Sequence, residues 1–287
     1  MPRTATTRFP GWSVVWAAFA ICMFGAGVGY YGPSVYLQVL HASRGWPISG
    51  VSAAVTTHFL LSAAVVTFLP ELHRRFGIAR VTAAGGVLVA LGICAWGSVG
   101  ELWLLFPAAA LSGSGFALIG GAAITAMVAR WFDRDRPKAL STALNGASVG
   151  GVVFAPLWVF LIAYIGFRWA AVLVGAAMAC IVVPLAFRFL SLGPADLGLP
   201  PDGRPITREV AAAVSAMSRA ALLRNRRFVT ISLAFALGLF AQIGVLSHLV
   251  VRLAPELGKD GAAAMLSLAT ACAVLGRFAL GWTIGRA

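Results

Sequence analysis

Apolar and polar residues in this chain are segregated on the scale of whole helices. Eight long apolar stretches follow one another, at about residues 12–38, 47–70, 80–99, 102–130, 137–165, 168–190, 227–251 and 261–284. Each is long enough to cross a bilayer as a helix, because about 20 residues rising 1.5 Å apiece span a hydrocarbon core about 30 Å thick. Some breaks between them are very short. Residues 98–101 and 165–168 leave room only for tight turns, so the helices flanking them lie antiparallel and adjacent.

One long polar segment, 191–226, divides the stretches six and two. Its first part, Gly193 to Gly203, is rich in Gly, Pro and Asp and reads as turns. Beyond it, Val210, Val214, Met217, Ala221 and Leu222 recur at helical spacing, with Arg208, Arg219 and Arg224 available to face anionic lipid. That pattern predicts a helix lying along the membrane surface, with a solvated linker helix as the alternative. The expected organisation is therefore a six-helix transmembrane bundle over 1–190, a cytoplasmic linker over 191–226, and two further spans over 227–287.

Composition agrees with the pattern. With 60% hydrophobic and 11% charged residues, water is not the main solvent of this chain, which reads as an all-α membrane protein. The net charge of +13 is spread over alternate loops, as topology requires, rather than gathered into a nucleic-acid-binding face. Of the 22 basic residues, 17 fall on one side of the drawn topology, four (Arg44, Arg168, Arg252, Lys259) on the other, and Arg277 within a span. Basic residues stay preferentially in the cytoplasm, so both termini are expected there and the protein in the cell (inner) membrane. Ala18-Phe19-Ala20 resembles a leader cleavage triplet but precedes most of the first apolar run, so that run is read as a retained span. Cys22, Cys94, Cys180 and Cys272 all fall within spans without metal-ligand spacing, and neither a metal nor another cofactor is expected.

Local motifs refine the class. Six spans, a long linker and further spans form the plan of the major facilitator superfamily, in which two six-helix bundles enclose a central substrate path. The segment Arg130-Trp131-Phe132-Asp133-Arg134-Asp135-Arg136-Pro137-Lys138-Ala139, followed by Gly146 and Gly150, resembles the fifth-helix signature of the monocarboxylate porter family. Gly11-Trp12-Ser13-Val14-Val15 and Tyr30-Tyr31-Gly32-Pro33 are similar to that family's first-helix signature. The connector Pro70-Glu71-Leu72-His73-Arg74-Arg75-Phe76-Gly77 matches the superfamily's gating pattern more loosely: Arg75 and Gly77 fit, but Arg74 stands where an acid belongs. The point after the eighth span, Gly281-Trp282-Thr283-Ile284-Gly285-Arg286, lacks the acid as well. The resemblance implies a major-facilitator-type bundle with eight of an expected twelve helices. A truncated, transport-incompetent fragment is one reading of that shortfall; a second copy of the chain or a separately encoded fragment could complete the bundle.

Arg277 is the leading site candidate. It lies nine residues before Arg286, about 13 Å along the last helix. A guanidinium at that depth costs about 2.5–3.5 kcal/mol on insertion scales, so it should face an aqueous cavity or a partner. No carboxylate falls within any span as drawn, which makes an anionic substrate the expected counter-charge, with bonding to backbone carbonyls or snorkelling inward as the alternative. The resemblance carries this arginine over. It does not carry over the family's proton-coupling acid and lysine, because Ala273 and Ser34 occupy those places. Tyr30, Tyr31, Asn145 and Gln242 are candidates for bonding a small substrate, and His58, about mid-span, for titrating during transport. Gly25, Gly27, Gly29, Gly32 and Pro33 should loosen the first helix, which is tolerable only against protein or a water-filled cavity.

These features imply transport of a small organic anion, such as a monocarboxylate, by alternating access and not enzymatic catalysis. An intramembrane serine hydrolase is a remote alternative, because Gly146-Ala147-Ser148-Val149-Gly150 spells G-x-S-x-G and His58 or His248 could serve as base. That motif needs a sharp exposed turn, whereas Ser148 sits within a continuous apolar run.

Overall fold

The computed structural model describes residues 9–203 and 224–284; within the second stretch several side chains, including those of Gln242, His248 and Arg277, lie outside the described set. The surface helix expected at 207–224 falls almost entirely on residues outside it. Every regular element among the described residues is helical.

The first span is one continuous rod, Gly11–Arg44, made of α1 (Gly11–Phe24), a π-helical turn (Gly25–Tyr30) and α2 (Gly32–Arg44). It runs six residues past the expected end at 38, because the polar residues His41 and Arg44 form its last turn. Gly45, at φ 66°, closes that turn by donating its N–H to the His41 carbonyl at 3.1 Å. Next come α3 (Ile48–Val66) and a short α4 (Leu69–Phe76). The sequence reading ran the second span to residue 70; the structure ends it at Val66, and Pro70 opens α4 in the first turn, where a missing N–H costs nothing. Gly77, at φ 81°, then turns the chain into α5 (Ile78–Ser98), a backbone angle that only glycine adopts readily.

The fourth span is α6 (Leu105–Ile119) and α7 (Gly121–Ala129), offset at the extended residue Gly120. The fifth and sixth are two arms of α8 (Arg136–Phe189), folded back at Gly166 with φ 74° and ψ 161°. That fold sits inside the 165–168 connector. A second such turn, Gly258 at φ 73°, divides α9 (Arg226–Ile284). Here the sequence reading expected a connector of about ten residues, and the helix instead continues through Pro255 to a one-residue break. Five helices among the described residues are long and apolar enough to span a membrane, with the folded α8 counted once.

The chain divides into two units at residues 204/205 and 276/277. The core of the first is built on small residues, as expected where lipid removes the hydrophobic drive between helices. A Cβ at Gly146 would strike the Phe19 carbonyl, and one at Gly150 the Met23 carbonyl, so the first arm of α8 lies backbone-to-backbone on α1. Gly92 and Gly115 play the same part between α5 and α6, and Gly113 receives the α3 backbone at His58. Trp96, Trp158 and Tyr36 are the largest fully buried side chains. Trp16, Leu60, Trp103, Phe160, Tyr164 and Trp169 are exposed, an apolar surface that lipid or neighbouring helices would cover.

Candidate functional site

The π turn of the first helix departs from α geometry inside the bundle, and the site is built around it. In a π turn the N–H of residue i+5 bonds the carbonyl of residue i, here Tyr31 to Ala26 at 2.9 Å, which leaves neighbouring carbonyls in need of donors. Three side chains supply them. Trp158 Nε1 donates to the Gly27 carbonyl at 3.3 Å, the Tyr36 hydroxyl to that of Val28 at 3.0 Å, and His58 Nε2 to that of Gly29 at 2.9 Å. The donors come from the first arm of α8, from α2 and from α3, so three elements converge on one loosened turn.

His58 is 1% exposed and both ring nitrogens are engaged. A carbonyl only accepts, so Nε2 carries the proton and Nδ1, 2.9 Å from Ser112 Oγ, accepts from the hydroxyl in the neutral ring. Trp96 Nε1 donates to the same oxygen at 3.2 Å. Donation therefore runs in one direction, from Trp96 to Ser112 to His58 to Gly29. The Ser112 hydroxyl has a second acceptor within reach, the Ala109 carbonyl at 3.2 Å. Phe116 stacks on the imidazole at 5.7 Å and Phe59 meets it edge-on at 5.0 Å.

Beside this cluster an apolar cavity of about 210 Å³ opens between α3, α6 and α7, walled by Phe59, Ser62, Val66, Phe116 and Gly120. Tyr30 reaches toward it, with its ring 6.1 Å from Phe59 and 5.0 Å from Tyr31. Both tyrosines are about one-third exposed, and Tyr31 lies over Gly151 of α8. Asn145 is placed differently. It is 1% exposed, next to the Gly146 contact with α1, and neither Nδ2 nor Oδ1 has a protein partner. It does not line the 210 Å³ cavity.

At the basic end of the bundle, the motifs that sequence reading treated separately touch one another. Trp12 meets Phe132 at 5.2 Å, Phe9 packs on Trp131 and Phe132 at 6.0 and 5.6 Å, and the Lys138 ammonium lies 5.3 Å over the Trp12 ring. Arg136 donates from Nε to the Phe132 carbonyl at 3.0 Å and from Nη2 to that of Ala129 at 3.4 Å, capping the end of α7. Arg75 is exposed and stacks on Phe76 at 5.3 Å. The G-x-S-x-G serine, Ser148, lies 4% exposed in the interior of α8, without the sharp turn a nucleophile elbow requires.

Sequence reasoning missed Tyr36, Trp96, Ser112, Trp158 and Asp202. Tryptophan and tyrosine inside apolar spans were the available signal, since a buried indole N–H or phenol O–H must find an acceptor. Asp202 gave none. Its Oδ2 accepts from the Asp133 and Arg134 N–H groups at 3.0 and 2.7 Å, and its own N–H donates to the Trp131 carbonyl at 2.9 Å, which ties the linker to the loop before α8.

Known proteins share this chain's pattern. The family profile described as Major Facilitator Superfamily matches residues 17–287. Monocarboxylate transporter 13 of Bos taurus is 32% identical over 215 residues, covering 74% of this chain and 47% of that protein. Monocarboxylate transporter 11 of Mus musculus is 30% identical over 178 residues, covering 61% and 39% respectively. The uncharacterized MFS-type transporter YcxA of Bacillus subtilis (strain 168) is 23% identical over 149 residues, covering 52% and 36%. The chain thus spans about half the length of the curated relatives it matches, or less. A profile match reaching from the first span to the last residue, on an all-helical bundle whose first- and fifth-helix motifs meet in space, places this chain in the Major Facilitator Superfamily, among proteins resembling monocarboxylate transporters.

Proposed function

We propose that this protein moves a small organic anion, a monocarboxylate first among the candidates, across the cell membrane by alternating access, with both termini cytoplasmic. The observation that carries the reading is the loosened first helix. A helix whose mid-membrane carbonyls are held by Trp158, Tyr36 and His58, rather than by its own next turn, can change shape without exposing bare backbone to lipid. The names of its relatives, monocarboxylate transporters 13 and 11, support the substrate class.

In this reading Arg277 supplies the guanidinium for the substrate carboxylate, and Tyr30, Tyr31, Asn145 and Gln242 the neutral bonds. Asn145 supports it further, because a polar ligand would satisfy an amide whose two ends are unpaired in the bundle. His58 is the proton-linked group. If Nδ1 gains a proton it donates to Ser112 Oγ while the serine hydroxyl turns to Ala109, so the ring stays bonded in either state. Residues 1–190 act as one bundle, joined by the linker 191–226 to helices of a second.

Proteoliposomes containing the protein should take up a labelled monocarboxylate, and Arg277→Ala should abolish uptake while leaving the protein folded. Uptake that is indifferent to this substitution removes Arg277 from the mechanism, and absence of uptake for every carboxylate tested removes the substrate class.

A further inference from the structure

A second cavity, of about 560 Å³, lies at the basic end of the first unit, between α4, the start of α5, the end of α7 and the end of α8. Its lining carries His73, Arg74, Arg80 and Arg130 and no carboxylate. Two acids stand outside it. Glu71 pairs with Arg74 at 2.6 Å, and Asp196 lies 3.9 Å from the Arg130 guanidinium, a long contact between half-exposed groups that offsets little of its charge. Arg80 is exposed, and no ion pair among the described residues includes it. The lining therefore holds more cationic donors than partners.

The N-terminus of α5 borders the same space. Gly77 begins α5 without a side-chain cap, and Ile78, Ala79 and Arg80, all in the lining, are its first three residues, whose N–H groups have no acceptor within the helix. His73 adds a ring nitrogen, Nε2, that is buried without a hydrogen-bond partner. The mouth has an apolar side: Phe76 and Phe187 line the cavity and are 46% and 49% exposed, Phe187 in the last turn of α8. Cationic forks and backbone N–H groups above an exposed apolar rim match an anion that is attached to hydrocarbon.

We propose that this cavity binds the headgroup of an anionic phospholipid, with Arg80 and Arg130 engaging the phosphate and the acyl chains passing Phe187. Forked guanidinium donors suit a phosphate oxygen pair, and a basic pocket between helix ends is where such a headgroup meets a membrane protein. Nothing in the transport reading uses these residues, so the site stands or falls separately.

The test is native mass spectrometry of the full chain in neutral detergent, titrated with phosphatidylglycerol, with phosphatidylcholine, or with inorganic phosphate. Phosphatidylglycerol should be retained preferentially over phosphatidylcholine, and retention should fall about fivefold for each of Arg80→Gln and Arg130→Gln. Arg44→Gln, at the opposite end of the first helix, should leave it unchanged. Arg80→Gln removes an exposed side chain with no ion pair among the described residues, so its fold should be intact, which an unchanged melting midpoint would verify. Equal retention of the two lipids, or phosphatidylglycerol retention indifferent to both substitutions, overturns the proposal. So does inorganic phosphate displacing the lipid at equal concentration, which would make the cavity a site for the free ion.

Discussion

The middle of the bundle and its basic end dispose of polar groups in opposite ways. Around the π turn the carbonyls of Gly27, Val28 and Gly29 meet neutral donors, and Trp96, Ser112, His58 and Gly29 form a directed chain. At the basic end arginines outnumber acids. Arg74 and Arg136 find carboxylates while Arg75 and Arg80 rely on solvent and on the Phe76 ring. The difference follows from the surroundings. Without water an unmade bond costs about 1–3 kcal/mol, so the turn is matched bond for bond and the unpaired Asn145 amide is the exception that a ligand could fill, whereas a hydrated surface tolerates surplus charge and can offer it to a ligand.

Substitutions can break this contrast or sharpen it. The largest effect is expected from Gly150→Leu, which drives a side chain into the Met23 carbonyl and the Gly27 backbone; neither can move without separating α1 from α8, and folded protein should be lost in fluorescence-detected size-exclusion chromatography. His58→Leu comes next. It strands the Gly29 carbonyl and removes an acceptor for Ser112, for a loss of about 1–3 kcal/mol that His58→Gln should partly restore, read as melting midpoints. A Leu variant as stable as wild type would show that the donor chain does not hold the turn.

The basic end should respond less. Asp202→Ala removes the acceptor of two backbone N–H groups and should cost about 1 kcal/mol, with faster proteolysis between Asp133 and Asp202 as its local sign. The smallest effect concerns His73, whose pKa is held below its ordinary 6.5 by burial first and then by the Arg130 charge. The unfolded chain therefore binds this proton more readily than the folded one, so its contribution to stability is present above about 6.5 and is lost as pH falls through that value. His73→Gln should flatten the melting midpoint between pH 7.5 and 5.5, and an equal slope in both proteins would place the titration elsewhere.

Much of the fold was legible because it follows from solvent. Runs of about 20 apolar residues announce helices wherever they lie, and the short break at 165–168 forced the hairpin that Gly166 makes. Gly258 was harder to see. The stretch between the apolar runs ending at 251 and starting at 261 read as a connector, yet the helix continues to the glycine, whose positive φ makes the break in one residue. The loosening of the first helix was expected from its glycines, but its form, a π turn with three borrowed donors, was not. Gly27 accepts from a residue 131 positions away and Gly29 from one 29 positions away, and no local pattern encodes such pairings.

The candidate site divides along the same line. Sequence alone determined the class of protein, the succession of long apolar helices, the excess of basic residues and the family signatures, since each reflects a residue's preference for lipid, water or helix. Tertiary structure decided that Trp12 meets Phe132, that Tyr36 and Trp158 serve the first helix, that Asn145 is buried without a partner, and that Arg80 and Arg130 border one cavity. Those facts depend on which helix faces which and at what rotation. A few glycines, by admitting a neighbouring backbone at Gly146, Gly150 and Gly113, set that geometry, and hydrophobicity alone leaves it open.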